Sequence, residues 1–267
     1  MKIKDLISHL ESIAPPVYQE SYDNAGLIVG NPSEMLNGVL LCLDSTEAVI
    51  DEAIEKGCNL VIAHHPIVFF GLKRFNGSNY VERTVMKAIK NDIAIYAAHT
   101  NLDNVYNGVN AKISERLGLT NKHILLPKNE PGVDEDPARV IGSGMIGTLE
   151  QPMKEKAFLQ LLKDRMQASV VKHTQLLGKP ISKVAVCGGA GGFLLKHAIR
   201  EGAQIFITSD YKYHEFFDAD GKIIIADIGH FESEQFTIQL FEELIREKFS
   251  TFAVRLTEVN TNPVSYF

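Results

Sequence analysis

Apolar residues recur along this chain in short blocks that end on polar side chains, and the blocks alternate with segments of helical spacing. Residues 38–43 (Gly-Val-Leu-Leu-Cys-Leu) form one such block, closed by Asp44. A compact apolar run of that length predicts a buried strand. Ser45 or Thr46 caps a helix to about Lys56, and Gly57 supplies its stop. Asn59 to Ala63 predicts a second strand ending at His64, and 79–91 a helix. Ile93 to Ala98 predicts a third strand ending at His99, and Asn107 to Leu117 a helix before Gly118. This β-α-β-α-β-α order implies a parallel sheet covered by helices.

Three prolines and four acidic residues fall within 127–137, so no regular element is expected there. Val140 to Leu149 then predicts a strand, 153–166 a helix, and Ser169 to His173 a further strand. The alternation returns with a strand at Lys183 to Cys187, five residues Gly188-Gly189-Ala190-Gly191-Gly192, and a helix to about Glu201. A strand at Gln204 to Thr208 precedes Ser209-Asp210 and a helix through about Ala219. Next come a strand at Lys222 to Ala226, Gly229-His230, a long helix over 231–248 and a last strand near Thr251 to Leu256. The pattern predicts one α/β lobe over 1–125, a connecting segment over 126–182 and a second α/β lobe over 183–267.

Composition narrows what such a fold does. With 45% hydrophobic and 22% charged residues, the 267-residue chain has enough apolar surface to offset its ordering entropy. Its net charge of −6 with His neutral does not attract phosphate backbones, so nucleic acid is not the expected partner. Trp is absent and aromatics total 8%, which leaves no obvious single-strand stacking platform. Cys42, Cys58 and Cys187 are odd in number and lie far apart in apolar stretches, as buried thiols in a reducing compartment do. Lys2, Lys4 and Asp5 interrupt the apolar residues of Met1 to Leu10, so no signal-peptide core is read there. The longest run without Asp, Glu, Lys or Arg, Gly57 to Leu72, is too short and polar to span a membrane. A cytoplasmic protein is expected.

Polar residues collect just after the predicted strands: Asp44, His64-His65, His99 with Asp103, Asp210 with His214, and His230 with Glu234. Ligands of open parallel sheets bind beyond the carboxyl ends of the strands. Each piece alone is weak. His64-His65 by itself reads as two histidines lining a strand exit, by about two to one, because His is often partly buried. Pro66 holds His65 extended. His99 and Asp103 share a cavity if Thr100 to Asp103 curls into a turn, though an Asx turn at Asp103 is an even alternative. His230 and Glu234 lie on one helical face, where acids also suit the positive end of a helix. Asp210 and His214 repeat the spacing. Together, three histidines with Asp103 and Glu234 make a mixed nitrogen and oxygen set. That set suits Zn, Mn, Fe, Co or Ni better than Mg or Ca. Two metals about 3.5–4 Å apart would make a hydrolytic centre, with Glu234 the natural bridge. His9, His123, His173 and His197 have no acid or His partner at ligand spacing.

Tyr22-Asp23-Asn24-Ala25-Gly26-Leu27, Ala63-His64-His65-Pro66, His99-Thr100-Asn101-Leu102-Asp103 and Gly229-His230-Phe231-Glu232-Ser233-Glu234 resemble, in this order, the GTP cyclohydrolase 1 type 2 family. Its members are also called NGG-interacting-factor-three-like proteins. The resemblance covers nearly the whole chain. It implies a dinuclear site of His64, His65, Asp103, His230 and Glu234, with Glu234 shared between two divalent ions per subunit. It also implies a two-lobed α/β subunit assembled into a toroidal homohexamer with metal sites facing the interior. The sheets are expected to be parallel-rich, and since the ligands come from 64–103 and 230–234 the metal site is expected between the lobes. Two departures stand out. The segment between 120 and 180 is too short for the inserted middle domain of some members. Thr208-Ser209-Asp210 replaces a common Thr-Gly-acid stretch, which sets Asp210 and His214 apart from the five ligands; with His99 they are expected as supporting or acid/base groups.

The glycine-rich residues 188–192 sit where backbone N–H groups could cradle an anion. The dinucleotide fingerprint fails because Leu194 takes its last position, and a P-loop Lys-Ser/Thr is missing. A tight strand-to-helix turn is favoured by about two to one. The functional expectation is a metal-dependent hydrolase attacking a nucleotide-like substrate with water. Its alternative is a non-catalytic metal-binding, trafficking or regulatory scaffold using the same ligands. A Rossmann oxidoreductase, with NAD(P) as cofactor, has only the α/β rhythm and the broken glycine loop behind it.

Overall fold

Helix α1 (Ile3–Ile13) opens the chain, followed by β1 (Gly26–Val29), β2 (Val39–Asp44), α2 (Glu47–Glu55), β3 (Leu60–His65), α3 (Tyr80–Lys90), β4 (Ala94–Ala97) and α4 (Thr100–Asp103). Next come α5 (Val109–Arg116), β5 (Thr120–Pro127), β6 (Gly142–Met153), α6 (Glu155–Arg165), β7 (Lys172–His173), β8 (Ile181–Val186) and α7 (Leu195–Arg200). The chain closes with β9 (Ile205–Thr208), β10 (Ile224–Asp227), α8 (His230–Glu234), α9 (Thr237–Lys248) and β11 (Val254–Leu256). This computed structural model describes residues 1–128 and 140–267, and from position 129 onward the loop expected over 127–137 lies outside the described residues. The mixed α/β class read from the sequence is the class of the structure. The chain divides into two compact units, Met1–Leu102 with Thr237–Pro263, and Asp103–Phe236 with Val264–Phe267.

The first unit is built on a sheet of order β1-β4-β3-β2-β11. β2, β3, β4 and β11 run parallel, and β1 joins the edge antiparallel to β4. Residues 39–43 and 60–63 are almost wholly inaccessible, as expected of parallel strands covered on both faces. Val49, Ile50 and Ala53 of α2 and Val85 and Ala88 of α3 pack on Leu40, Cys42, Val61 and Ala63. Each fully buried Leu or Ile there contributes ~1.5–3 kcal/mol. Thr46 caps α2 by accepting from the Val49 N–H, and Gly57 stops the segment at φ +66°. The register sets Asp44 opposite His65 and Ala63 opposite Ala97, so the polar strand ends emerge side by side.

The second unit carries a sheet of order β5-β6-β8-β9-β10-β7. Its centre, β8-β9-β10, is parallel, and its flanks are antiparallel. The strand expected over 169–173 is only Lys172–His173, paired along the edge of β10. The segment expected as a helix up to Ala219 is a run of tighter 3-10 turns over Tyr213–Ala219, ended by Asp220 at φ +47°.

The helix expected over 231–248 is two helices, α8 and α9. The two residues between them are committed elsewhere. The Gln235 amide donates to the Met166 carbonyl at 2.9 Å, and the Arg116 guanidinium lies 3.3 Å above the Phe236 ring. From Thr237 the chain belongs to the first unit, although reading in chain order groups 183–267 together. Two forces hold it there. Leu240, Phe241, Leu244 and Ile245 of α9 are buried, and β11 pairs with β2, Val254 opposite Val39. That pairing covers backbone groups an open edge would expose.

Candidate metal centre

In the first unit three imidazoles gather where β3 and β4 end. Their ring centroids are 4.9 Å apart for His64 and His65, 5.2 Å for His64 and His99, and 5.4 Å for His65 and His99. One ligand atom from each lies within 4.8 Å of the others. Each ring is held by Nδ1. His64 donates to the Ala98 carbonyl at 2.9 Å, His65 to the Asp44 carboxylate at 2.7 Å, and His99 to the Asp23 carboxylate at 2.7 Å. These oxygens accept, so Nδ1 carries a hydrogen, and in the neutral ring Nε2 is the nitrogen able to bind a metal. Metal-ligating histidines are oriented in this way.

The carboxylates are themselves tuned. Burial pushes Asp23 up, but donation from His99, the Thr100 hydroxyl and the Asn24 N–H outweighs it and leaves the carboxyl at about 2. Asp44 is likewise raised by burial and brought below its usual range by His65 and by the Thr261 hydroxyl, which donates at 2.7 Å. Both acids therefore stay charged opposite their imidazoles. Asp44 stood among the strand-end acids of the sequence. Asp23 lies in the Tyr22–Leu27 motif, but its pairing with His99, 76 positions later, has no local signature.

In the second unit His230 begins α8 directly after Gly229, whose φ of +92° suits glycine. His230 donates from Nδ1 to Asp210 at 2.7 Å, and its Nε2 lies 3.0 Å from Oε2 of the buried Glu234. With Nδ1 acting as donor, a lone pair and a carboxylate oxygen confront each other unless a positive charge lies there. A proton on Nε2 or a metal cation satisfies that geometry, so the pair fits a metal. Asp103 ends α4, and its main-chain carbonyl accepts from Asn110 at 3.2 Å. Burial raises the Cys187 thiol, and the Asp103 and Glu234 carboxylates raise it further, so both acids stand near that cysteine. Cys42, Cys58 and Cys187 are all free and buried.

A carboxylate absent from the sequence reading organises this half. Asp227, 1% exposed, accepts from the Tyr211 N–H at 3.1 Å, the Gly229 N–H at 3.0 Å and the Lys172 ammonium at 2.7 Å. It ties together the two turns that present Asp210 and His230. Its position at a strand end, like that of Asp44, was the available signal.

The glycine-rich residues act as a turn seated beneath Glu234. The N–H groups of Gly188, Gly189 and Gly191 donate to Asn110, Ser233 and Thr208 at 2.9–3.0 Å, so they are not presented to an anion. Gly189 has φ +62°, and a Cβ there would stand 2.6 Å from Glu234 Oε1. Of the proposed helpers, His99 stands among the three imidazoles and Asp210 holds His230. His214 is exposed, lies against Tyr213 and Phe217, and among the described residues has no hydrogen bond to Asp210. The other histidines have separate partners. His9 contacts the Leu244 carbonyl at 2.8 Å and His173 the Thr174 carbonyl at 2.7 Å. His123 lies 3.9 Å from Glu201, and His197 is 3.0 Å from Arg200.

The model of the Duf34/NIF3 (NGG1p interacting factor 3) family matches residues 1–263. The chain belongs to that family. Among its relatives, a GTP cyclohydrolase 1 type 2 homolog of Clostridium perfringens is 36% identical over 251 residues, covering 93% of this chain and 92% of the relative. One of Clostridium acetobutylicum is 35% identical over 235 residues, covering 88% and 85%. A crystal structure of a Bacillus cereus protein related to NIF3 superposes with a TM-score of 0.90 at 25% identity, covering 100% of this chain and 99% of that one. No described helix is long and apolar enough to cross a membrane.

Proposed function

We propose that this member of the Duf34/NIF3 family is a cytoplasmic, metal-dependent hydrolase acting on a nucleotide-like substrate. Two divalent ions, drawn from Zn, Fe, Mn, Co or Ni, are held by His64, His65, Asp103, His230 and Glu234, with Glu234 shared. The observation that carries this reading is the common orientation of the imidazoles. His64, His65 and His230 each set Nδ1 against an oxygen acceptor, so Nε2 is the nitrogen that would bind an ion, on His230 beside the Glu234 carboxylate. Ions bound there would supply Lewis-acid activation of water and substrate. Asp44 and Asp210 fix the tautomers of His65 and His230 and sharpen their basicity, and Asp23 does the same for His99. Asp210, half-exposed beside His230, is the group placed to pass a proton to or from bulk water. The relatives named GTP cyclohydrolase 1 type 2 homolog support the nucleotide-like substrate. The homohexamer implied by the family resemblance belongs to the same reading.

Elemental analysis of protein purified without added metal, paired with a hydrolysis screen of GTP and phosphoesters, tests it. About two metals per subunit are expected, lost in His64→Ala and Glu234→Ala. Asp44→Asn should weaken metal binding by roughly 10–100-fold. Absence of bound metal refutes the site. Metal without turnover leaves a binding protein rather than a hydrolase.

A further inference from the structure

Three exposed aromatic rings of the first unit form a cluster that reaches the His99 imidazole through Phe69. Tyr22 is 64% exposed, Phe69 37% and Phe70 80%. They are contiguous, with ring centroids 6.3 Å apart for Tyr22 and Phe69 and 5.2 Å for Phe69 and Phe70. Phe69 also lies 6.3 Å from the His99 ring, nearly perpendicular to it. Rings of this size in water forgo a large burial gain, and a contiguous exposed apolar patch marks an interaction site.

The edge is fixed in place by the same turn that orients His99. Asp23 accepts from His99 at 2.7 Å, and the next residue, Asn24, donates from its amide to the Val68 carbonyl at 2.6 Å. Tyr22, Asp23 and Asn24 thus join the loop after β3 to the imidazole group. Phe69 follows Val68 directly, so the backbone that carries its ring is anchored beside the turn that holds His99. Lys73 and Arg74 follow in the same loop and give it two positive charges, the complement of a phosphorylated substrate.

We infer that Tyr22 and Phe69, flanked by Phe70, form a stacking edge for the planar heteroaromatic ring of the substrate. The assignment rests on the hydrolase reading of a nucleotide-like substrate and adds to it the residues that recognise the substrate's ring. Base–aromatic stacking tolerates different bases because every base presents a π-face, so the edge selects for a flat ring. The alternative occupant, a second copy of the chain, is an outcome of the test.

The test compares binding of GTP and of inorganic triphosphate, which lacks the ring, by calorimetry with Mn²⁺ and again in EDTA. Phe69→Ala should weaken GTP binding about tenfold, and at most about a hundredfold, and leave triphosphate binding within about twofold. Phe69→Trp should restore it, and Tyr22→Ala should act in the same direction. Phe75→Ala, in the same loop and 56% exposed, is the control and should change nothing. Equal losses for GTP and triphosphate overturn the proposal, as does absence of GTP binding by the unaltered protein at millimolar concentration. A changed subunit number in native mass spectrometry with GTP affinity intact also overturns it, and makes the edge an interface between copies. Ring-dependent binding in protein that takes up no metal even from Mn²⁺ would refute the metal site and keep the stacking edge.

Discussion

Asp23→Asn offers the most quantitative test of how the imidazole group is held. The Asp23 side chain has no solvent exposure, so solvent screening does not weaken its interactions. Its carboxyl lies at about 2 rather than 3.8, since donation from His99, Thr100 and Asn24 outweighs the burial that would raise it. At ~1.4 kcal/mol per pH unit, that depression is worth about 2 kcal/mol of stability when the group is charged. A carboxyl lowered on folding contributes fully above its unfolded value, near ~3.9, and loses the contribution as pH falls toward about 2. Urea unfolding of EDTA-treated wild type and Asp23→Asn should therefore differ by about 2 kcal/mol at pH 7. The gap should hold down to about pH 5 and narrow between about pH 4 and pH 2.5. Nitrogen-15 spectra of the imidazoles should show His99 losing its preference for the Nδ1–H tautomer in the variant. A gap that stays constant to pH 2.5, or no gap at pH 7, would refute the reasoning. The acid would then be orienting His99 without favouring its charged form.

Two further predictions concern the second unit. Gly189→Ala places a Cβ 2.6 Å from Glu234 Oε1 at φ +62°; it should cost about 2 kcal/mol and lower metal content. Gly202→Ala, at φ +75° with nothing within 4 Å, should cost only about 1 kcal/mol and leave metal content unchanged. Comparable metal loss in both variants would refute the role given to Gly189. Asp227→Ala leaves two turn N–H groups without their acceptor and should cost about 2–4 kcal/mol in chemical denaturation. Lys172→Ala, removing a 58% exposed side chain, should cost under about 1 kcal/mol. Equal costs for the two would show that the ion pair, rather than the backbone contacts, is what Asp227 supplies.

Much of the fold was legible because it is written at short range. The apolar runs that become β2, β3, β4, β8, β9 and β10 are compact, and Thr46 and Gly57 bound α2 where expected. The apolar spacing Ile3, Leu6, Ile7, Leu10 that forms α1 is equally plain, with Lys4 and Asp5 on its polar side. The site residues were recognisable as His and acids at strand ends, since parallel strands that finish together bring their polar exits together. The same rule applied to Asp227 would have found it. The break between α8 and α9 was less accessible. No Gly or Pro marks Gln235-Phe236, and what holds them, the Met166 carbonyl and the Arg116 guanidinium, is remote in the chain.

The α/β class, the family and the residue types that can hold a metal are all legible in the sequence. These depend on local periodicity and on motifs a few residues long. Tertiary structure settled which ring nitrogen each imidazole turns to an acceptor. That choice is set by acceptors at remote positions: Ala98 for His64, Asp44 for His65, Asp23 for His99 and Asp210 for His230. It also decided that β11 completes the sheet begun by β2. A hydrogen bond between residues 76 apart, or a strand pair spanning most of the chain, imposes no period on the residues between them. Only the folded backbone brings such partners within reach.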